Sequence, residues 1–197
     1  VGKDGITFIF LQGGYYNTTV PAYTFGLYTI PYYYADKSSS VPSLENMETE
    51  LGRYVDEKLP FCIHNFSSFT EQGYTITAEE PRTEVEIEED KVLVTVQYSV
   101  SATKELITES YSSFSLEIPS DLFFAHNIAE QIIAAHIDDT KMPLSKMTEL
   151  AEEYRIFLHV GNFNDTVIYT LNIPTEDIDK PFIFQFAVRY HWGEPLE

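Results

Sequence analysis

The sequence predicts a single α+β domain in which an antiparallel sheet carries helices on one face. Two observations predict this class. Stretches with a helical spacing of apolar residues are separated by stretches in which apolar and polar residues alternate, and the two kinds do not interleave as in a βαβ fold. The 197 residues, 44% hydrophobic and 15% aromatic, are also enough to bury a core without disulfides. We expect about two to three helices and about seven strands.

Residues 1–42 form a Tyr-rich N-terminal segment, which we expect to wrap the domain made by residues 43–197. Residues 6–11 are a short apolar run, typical of a buried strand or of the end of a membrane anchor. Half of the 14 tyrosines follow between residues 15 and 34. Because tyrosine offers a large, rigid contact area with a polar tip, these rings could pack on the domain, form a binding surface, or do both. The candidates for binding are Tyr23, Tyr28, Tyr32, Tyr33 and Tyr34.

The first predicted helix begins at Ser43, whose hydroxyl can cap the backbone N–H of Asn46. Apolar residues then recur with helical spacing as far as Pro60, which should break or kink the helix. These apolar residues are Leu44, Met47, Leu51, Tyr54, Val55 and Leu59. A short turn after Pro60 should continue the buried face, so we interpret Cys62, the only cysteine, as a buried small apolar residue.

From Tyr74 to Pro119 the period of the apolar residues changes to two, which predicts an antiparallel meander. Residues 84–88 and 92–100 should form a hairpin with one solvated face. Further strands should span about residues 104–110 and 112–118.

Ser120 and Asp121 can cap a second helix, which should end at Asp138-Asp139. Its wide apolar face comprises Leu122, Ala125, Ile128, Ala129, Ile132, Ile133 and Ile137. A third helical segment spans residues 143–154. Strands should follow near residues 155–161, 166–173 and 181–190, the first two joined by a turn at residues 162–165.

The charge of the chain limits its partners. With 31 acidic and 12 basic residues, the net charge of −19 repels phosphate backbones and anionic lipids, so we do not expect nucleic acid as a partner. A basic protein or a cation such as Ca²⁺ is compatible with this charge. The glutamates that alternate along residues 79–90 could form an acidic docking face, although we favour the wet face of an amphipathic sheet.

Local motifs predict no catalytic residue, no metal site and no cofactor. The sequence has no GxSxG elbow, P-loop or GxGxxG motif. His126 and Glu130 share a helix face, but His136 should point elsewhere, so we expect no zinc site. Asp138-Asp139, with Asp177 and Asp179, lack the spacing of an EF-hand, and we interpret them as a helix end and a solvated loop.

Three glycosylation-type sequons begin at Asn17, Asn65 and Asn164, and this mild excess over chance favours an exported location. The chain starts at Val1 and ends in Leu196-Glu197, a dipeptide that cloning sites often leave. We therefore expect that an N-terminal anchor or signal peptide has been removed.

Several segments together resemble a set of archaeal proteins of uncharacterised function, each with an N-terminal membrane anchor and an exported domain. They are Gln12–Tyr16, Ile30–Tyr34, Pro42–Glu45, Leu59–Ile63 and Glu71–Tyr74. The resemblance runs over most of the chain. It implies an anchored, extracytoplasmic location, and it implies no activity and no catalytic residue.

Two functions of different classes follow as hypotheses. The first is the extracytoplasmic domain of a membrane-anchored surface protein that binds a protein or a surface glycan, or assembles at the cell surface, without catalysis. The membrane would be contacted only through the removed anchor. The alternative is a hydrolase of cell-surface glycans or peptides that uses carboxylates such as Glu79, Glu80 or Asp121. An enzyme requires a concave pocket with convergent polar groups and carboxyls of shifted pKa, whereas a binding module does not.

Overall fold

The computed structural model describes residues 2–16, 20–26, 28–139, 142–175 and 181–190. These residues form helices and antiparallel-rich sheets, which confirms the predicted α+β class. The helices are α1 (Gly2–Leu11), α2 (Leu44–Cys62), α3 (Ser67–Glu71), α4 (Leu122–Asp139) and α5 (Leu144–Tyr154). The strands are β1 (Ala22–Phe25), β2 (Tyr28–Ala35), β3 (Ser38–Ser39), β4 (Thr75–Ala78), β5 (Arg82–Ile87), β6 (Lys91–Lys104), β7 (Ile107–Pro119), β8 (Phe157–Phe163), β9 (Thr166–Ile173) and β10 (Phe182–Arg189).

The described strands form two sheets rather than the single sheet that was predicted. The first has the order β1-β2-β10-β9-β8, with β3 added to β2. Here β10 pairs in parallel with β2 and antiparallel with β9, so this sheet is mixed. In the second sheet β6 is central, since β7 pairs along its whole length and β5 and β4 share its other edge. The Tyr-rich segment therefore contributes strands β1, β2 and β3 to the first sheet.

Residues 6–11 belong to α1, so the predicted strand is corrected to a helix, while the end of an anchor stays a prediction. Ile6, Ile9 and Phe10 are buried, and their spacing of i, i+3 and i+4 is that of one helix face. A short apolar run fits a strand and a helix equally well until its partners are known. Here α1 packs against α2 and β10.

The predicted start of α2 is confirmed, because the Asn46 N–H donates to Ser43 Oγ over 3.2 Å. The helix passes Pro60 and ends at Cys62, with Met47, Leu51 and Val55 on its buried face. Cys62 is exposed, so its interpretation as a buried residue was wrong. The buried face ends before this last turn.

β6 and β7 form one long hairpin, which replaces the separate shorter strands that were predicted at about residues 92–100, 104–110 and 112–118. Lys104 pairs with Ile107, so Glu105 and Leu106 are the two turn residues. Glu105 has a φ of 56°, a conformation that glycine or asparagine usually supplies in such turns. Because neither glycine nor asparagine stands at this turn, the sequence did not predict it at Glu105 and Leu106.

The second and third predicted helices are confirmed as α4 and α5, and the last three predicted strands as β8, β9 and β10. One core joins both sheets. It contains residues from α1, α2, α4 and α5, from β2, β9 and β10 of the first sheet, and from β5, β6 and β7 of the second. None of the helices in the described residues is long and apolar enough to cross a membrane.

Candidate functional site

The most unusual surface of the described residues runs along β7. All but one of its residues are exposed, the exception being Ile118 near its C-terminal end. Leu116 pairs with Val94 and Phe114 with Val96, so these side chains lie on the sheet face that carries α2. Because α2 packs against β5 on the far side of β6, it leaves the β7 side of this face uncovered.

The exposed apolar side chains follow one another along the hairpin, with Phe114 and Leu116 on the face that carries α2 and Tyr111 and Ile107 on the opposite face. Leu116 is 57% exposed, Phe114 47% and Tyr111 55%, and the rings of Tyr111 and Phe114 have centroids 6.4 Å apart. At the hairpin tip Ile107 is 70% exposed and Leu106 fully exposed. We call these five residues the β7 row. Apolar side chains that are contiguous and exposed mark interaction surfaces more often than scattered ones do.

The charges around the β7 row are mainly negative. β7 contains two glutamates and no basic residue. Glu117 binds Lys91 Nζ over 3.2 Å, and this hydrogen bond raises the pKa of the lysine. Tyr111 donates its hydroxyl to Glu109 over 3.2 Å. An apolar row with an acidic border is therefore available to a partner.

The predicted binding tyrosines occupy different environments. Tyr28 is 42% exposed, whereas Tyr23 and Tyr34 are half-buried. Tyr32 and Tyr33 are almost completely buried, and this burial removes them from the predicted binding surface. The five side chains thus form no continuous exposed surface.

Contacts explain why Tyr32 and Tyr33 point inwards. The Tyr32 hydroxyl lies 2.6 Å from Thr166 Oγ1, and its ring lies 4.4 Å from the Arg189 guanidinium. Tyr33 donates its hydroxyl to the Gly13 carbonyl over 3.0 Å and stacks on Phe186. Burial raises the pKa of Tyr33 well above its usual value. These tyrosines act as core residues whose polar tips find internal partners.

The other two members of the set also pack on neighbours. Tyr23 lies against Phe163, with ring centroids 5.7 Å apart. Tyr34 meets the edge of the His136 ring at 4.7 Å, and Tyr190 meets the same imidazole at 4.7 Å. The rings of the Tyr-rich segment were expected to pack on the domain, to form a binding surface, or to do both. Packing on the domain accounts for most of these rings.

The two described sequons differ in accessibility, while Asn17 lies outside the described residues. Asn65 is exposed, with a φ of 47°, between α2 and α3, and Ser67 is also exposed. Asn164 is exposed in the β8–β9 turn, but its sequon partner Thr166 is 1% exposed.

The carboxylates considered for hydrolysis are not brought together. Glu79 donates its backbone N–H to Ser99, and Glu80 follows it directly. Asp121 lies beside Ser120, whose N–H donates to Asp90 next to the start of β6. Ser99 is roughly 25 Å along β6 from that start, at the rise of an extended strand. Burial raises the pKa of Asp121, as it does for Asp56.

Neither of the two cavities found in the described residues is lined by the carboxylates considered for hydrolysis. One, of about 420 Å³, is lined by Tyr74, Ala102, Lys104, Glu105, Ile107 and Glu109 near the hairpin tip. The other, of about 340 Å³, is lined by Ser43, Leu44, Phe123, His126, Asn127 and Glu130. The carboxyls with a raised pKa, Asp56 and Asp121, line neither cavity.

The histidines of α4 have structural contacts. His126 is buried, and its Nε2 lies 2.7 Å from the Pro42 carbonyl, which can only accept, so Nε2 carries a proton. Its Nδ1 lies 3.8 Å from Glu130. His136 is buried between Tyr34 and Tyr190. In the described part of the chain, no group of three His, Cys, Asp or Glu residues could hold a metal ion. Asp177 and Asp179, and the side chains of Asp138 and Asp139, lie outside the description.

Comparisons with known proteins add no function. No protein-family model matches the chain, and no curated protein or solved structure matches it either. Its own residues therefore carry the functional argument.

Sequence reasoning missed the β7 row. The alternation of Phe114, Leu116 and Ile118 is the pattern of a core-facing strand, and Ile118 is indeed buried. Alternation does not show which strand lies at the edge of a sheet. The one available signal was the absence of Lys and Arg from residues 107–119.

Proposed function

We propose that this protein is a binding module that docks another macromolecule on the β7 row, as the extracytoplasmic domain of a membrane-anchored surface protein. The observation that carries the proposal is the row itself. Tyr111, Phe114 and Leu116 are about half exposed in a domain that otherwise has a well-filled core. Aromatic side chains of this kind dominate the energetics of interfaces.

The location rests on the resemblance to anchored archaeal proteins and on the sequons, and the binding role rests on the β7 row. A hydrolase receives no comparable support. The backbone contacts of Glu79 and Ser120 place its candidate carboxylates roughly 25 Å apart along β6. Asp56 and Asp121, whose pKa is raised by burial, line neither described cavity.

The test is selection of ligands for the immobilised domain from a displayed library of random peptides, with a glycan array as a second arm. A variant with Tyr111→Ser, Phe114→Ser and Leu116→Ser removes the row. We expect binders selected on the natural domain to lose at least about tenfold in affinity on this variant, since each such contact contributes about 1 kcal/mol or more.

The matched control replaces exposed apolar residues elsewhere, with Phe61→Ser and Phe157→Ser, which are 73% and 63% exposed. This control should bind as the natural domain does. The proposal is overturned if neither arm yields a ligand, or if the control loses binding while the β7 variant keeps it. Circular dichroism and thermal unfolding establish that each variant is folded.

A further inference from the structure

We propose that β7 accepts a β-strand from a partner protein, an extended segment in which apolar and basic residues alternate. This inference rests on the proposed function and specifies how the β7 row is used. It is carried by three observations: the free edge of β7, the missing protection of that edge, and the different chemistry of the two sheet faces beside it.

One edge of β7 has no ladder partner among the described residues. β7 pairs with β6 from Ile107 to Pro119, and no other described strand pairs with it. In an antiparallel strand, every second residue directs its N–H and C=O away from the existing neighbour. The free edge therefore presents a row of backbone donors and acceptors beside the exposed apolar side chains.

This edge lacks the usual protection against strand pairing. Natural edge strands are short, or carry lysine, proline or a bulge that discourages pairing. β7 has 13 residues and no lysine, and its only proline is its last residue, Pro119. The bulge of the hairpin lies in β6, between Gln97 and Val100. By comparison, the edge strands β1 and β4 have 4 residues each and β8 has 7.

The two faces beside β7 select different side chains. Phe114 and Leu116 lie on the face that carries α2, so a strand added there would place apolar side chains next to them. On the opposite face Glu117 pairs with Leu93, and Glu86 pairs with Leu93 from the other side. Glu84 is on this same face, and so are Ile107 and Tyr111 of β7. Arg82, Lys91 and Lys104 are the basic residues on the paired positions of this face, but none of them belongs to β7, whose charged residues are Glu109 and Glu117.

A segment that alternates apolar and basic residues matches both faces, because successive side chains of a strand point to opposite sides. The net charge of −19 would attract such a segment over a longer range. The same charge disfavours pairing of β7 with β7 of a second copy of this chain. The glutamates of the two strands would then lie on the same face of the joined sheet and repel each other. Strand addition of this kind draws affinity from the backbone and specificity from alternate side chains.

The experiment uses the full chain and a synthetic peptide of about twelve residues that alternates valine with lysine. Two further peptides carry backbone N-methyl groups on one or the other set of alternate residues. A fourth peptide has glutamate in place of lysine. Affinity is measured by titration calorimetry, and the protection of β7 amides by hydrogen exchange. Sedimentation reports self-association.

We expect the valine–lysine peptide to bind and to protect β7 amides. One N-methylated peptide should lose at least about tenfold in affinity, because its methyl groups remove the donors that face β7, whereas the other should bind nearly as well. The glutamate peptide should not bind. A variant that combines Glu84→Gln, Glu86→Gln and Glu117→Gln should bind the valine–lysine peptide more weakly. Its affinity should also change less with salt concentration.

Three results would overturn the inference, and they can be told apart from failure of the proposed function. Equal binding of both N-methylated peptides excludes strand addition but leaves docking on the β7 row intact. Binding of library peptides that depends on the row, without binding of the valine–lysine peptide, excludes the basic partner. Concentration-dependent dimers that protect β7 without peptide identify a second copy as the occupant. The proposed function itself fails if the peptide library and the glycan array yield no ligand, or if the row variant changes no binding while the control variant loses it.

Discussion

The Tyr32 hydroxyl and Thr166 Oγ1 lie 2.6 Å apart in the interior, and Thr166 also bonds to Asp165 Oδ1 over 3.1 Å. Thr166 is the third residue of the sequon that begins at Asn164. A sequon is read together with its hydroxyl residue, which must therefore be accessible. In the folded chain this hydroxyl is buried, whereas Ser67 of the Asn65 sequon is exposed.

We therefore predict that an oligosaccharyltransferase supplied with a glycan donor modifies Asn65, and not Asn164, of the folded domain. Mass spectrometry of peptides locates the glycan. Ser67→Ala should abolish modification at Asn65, and prior unfolding should make Asn164 a substrate as well. Modification of folded Asn164 to the same extent as Asn65 would contradict the prediction.

Gly52→Ala should destabilise the protein, although alanine normally favours a helix. A Cβ atom at Gly52 would lie 2.9 Å from the Thr83 carbonyl oxygen, so α2 would have to move away from β5. We expect a loss of about 1–3 kcal/mol in the free energy of unfolding, as for other overpacked contacts. Urea unfolding measures it. Thr49→Ala, at an exposed position of α2, is the matched control and should change stability little.

Ser43→Ala should reduce stability by about 1 kcal/mol, because the Asn46 N–H loses its capping acceptor. The free energy of unfolding from urea titration is the measurement. Ser39→Ala, at an exposed position of β3, serves as the control. An unchanged midpoint for Ser43→Ala would show that another group or solvent replaces the cap.

Buried tyrosines should make the protein sensitive to alkali. Burial raises the pKa of Tyr169, and the hydrogen bond between its hydroxyl and that of Tyr190 raises it further. In the unfolded chain tyrosine ionises near pH 10. Above that pH the folded state holds more protons than the unfolded state, so stability is complete below about pH 10 and falls as the pH rises further.

Replacing one such tyrosine should make the free energy of unfolding fall less steeply as the pH rises above about pH 10. For Tyr169→Phe we expect the free energy of unfolding to fall less steeply above about pH 10, by up to about 1.4 kcal/mol per pH unit, because one ionising group is removed. Between about pH 7 and pH 9 both proteins should show the same slope. Urea titrations at each pH give the comparison, and parallel slopes above pH 10 would contradict it.

Elements with local signals could be predicted from the sequence. Ser43 marks the start of α2 through its capping hydroxyl, and Ser120 accepts a hydrogen bond from the Leu122 N–H at the start of α4. The apolar face predicted for α4 is buried except at Ile137. Each of these features depends on residues within a few positions of one another, so spacing alone is sufficient.

Features that depend on distant partners could not be predicted in this way. Cys62 follows a buried helix face, yet it is exposed among the described residues, because the buried face of α2 ends before its last turn. Tyr32 and Tyr33 could serve a surface or a core, and their burial depends on Thr166, Gly13 and Phe186. The exposure of Phe114 and Leu116 depends in the same way on a distant partner, because α2 packs against β5 and not over β7.

The parallel pairing of β2 with β10 has a consequence for the order of folding. Tyr32 and Tyr34 pair with Ala187 and Val188, which leave the ribosome after most of the chain has been made. The β6–β7 hairpin pairs residues that are close in sequence and can form while synthesis continues. The first sheet closes only when β10 arrives. A nascent or prematurely terminated chain would therefore carry β2 without its central neighbour, and such chains would depend on chaperones until the last strand is released.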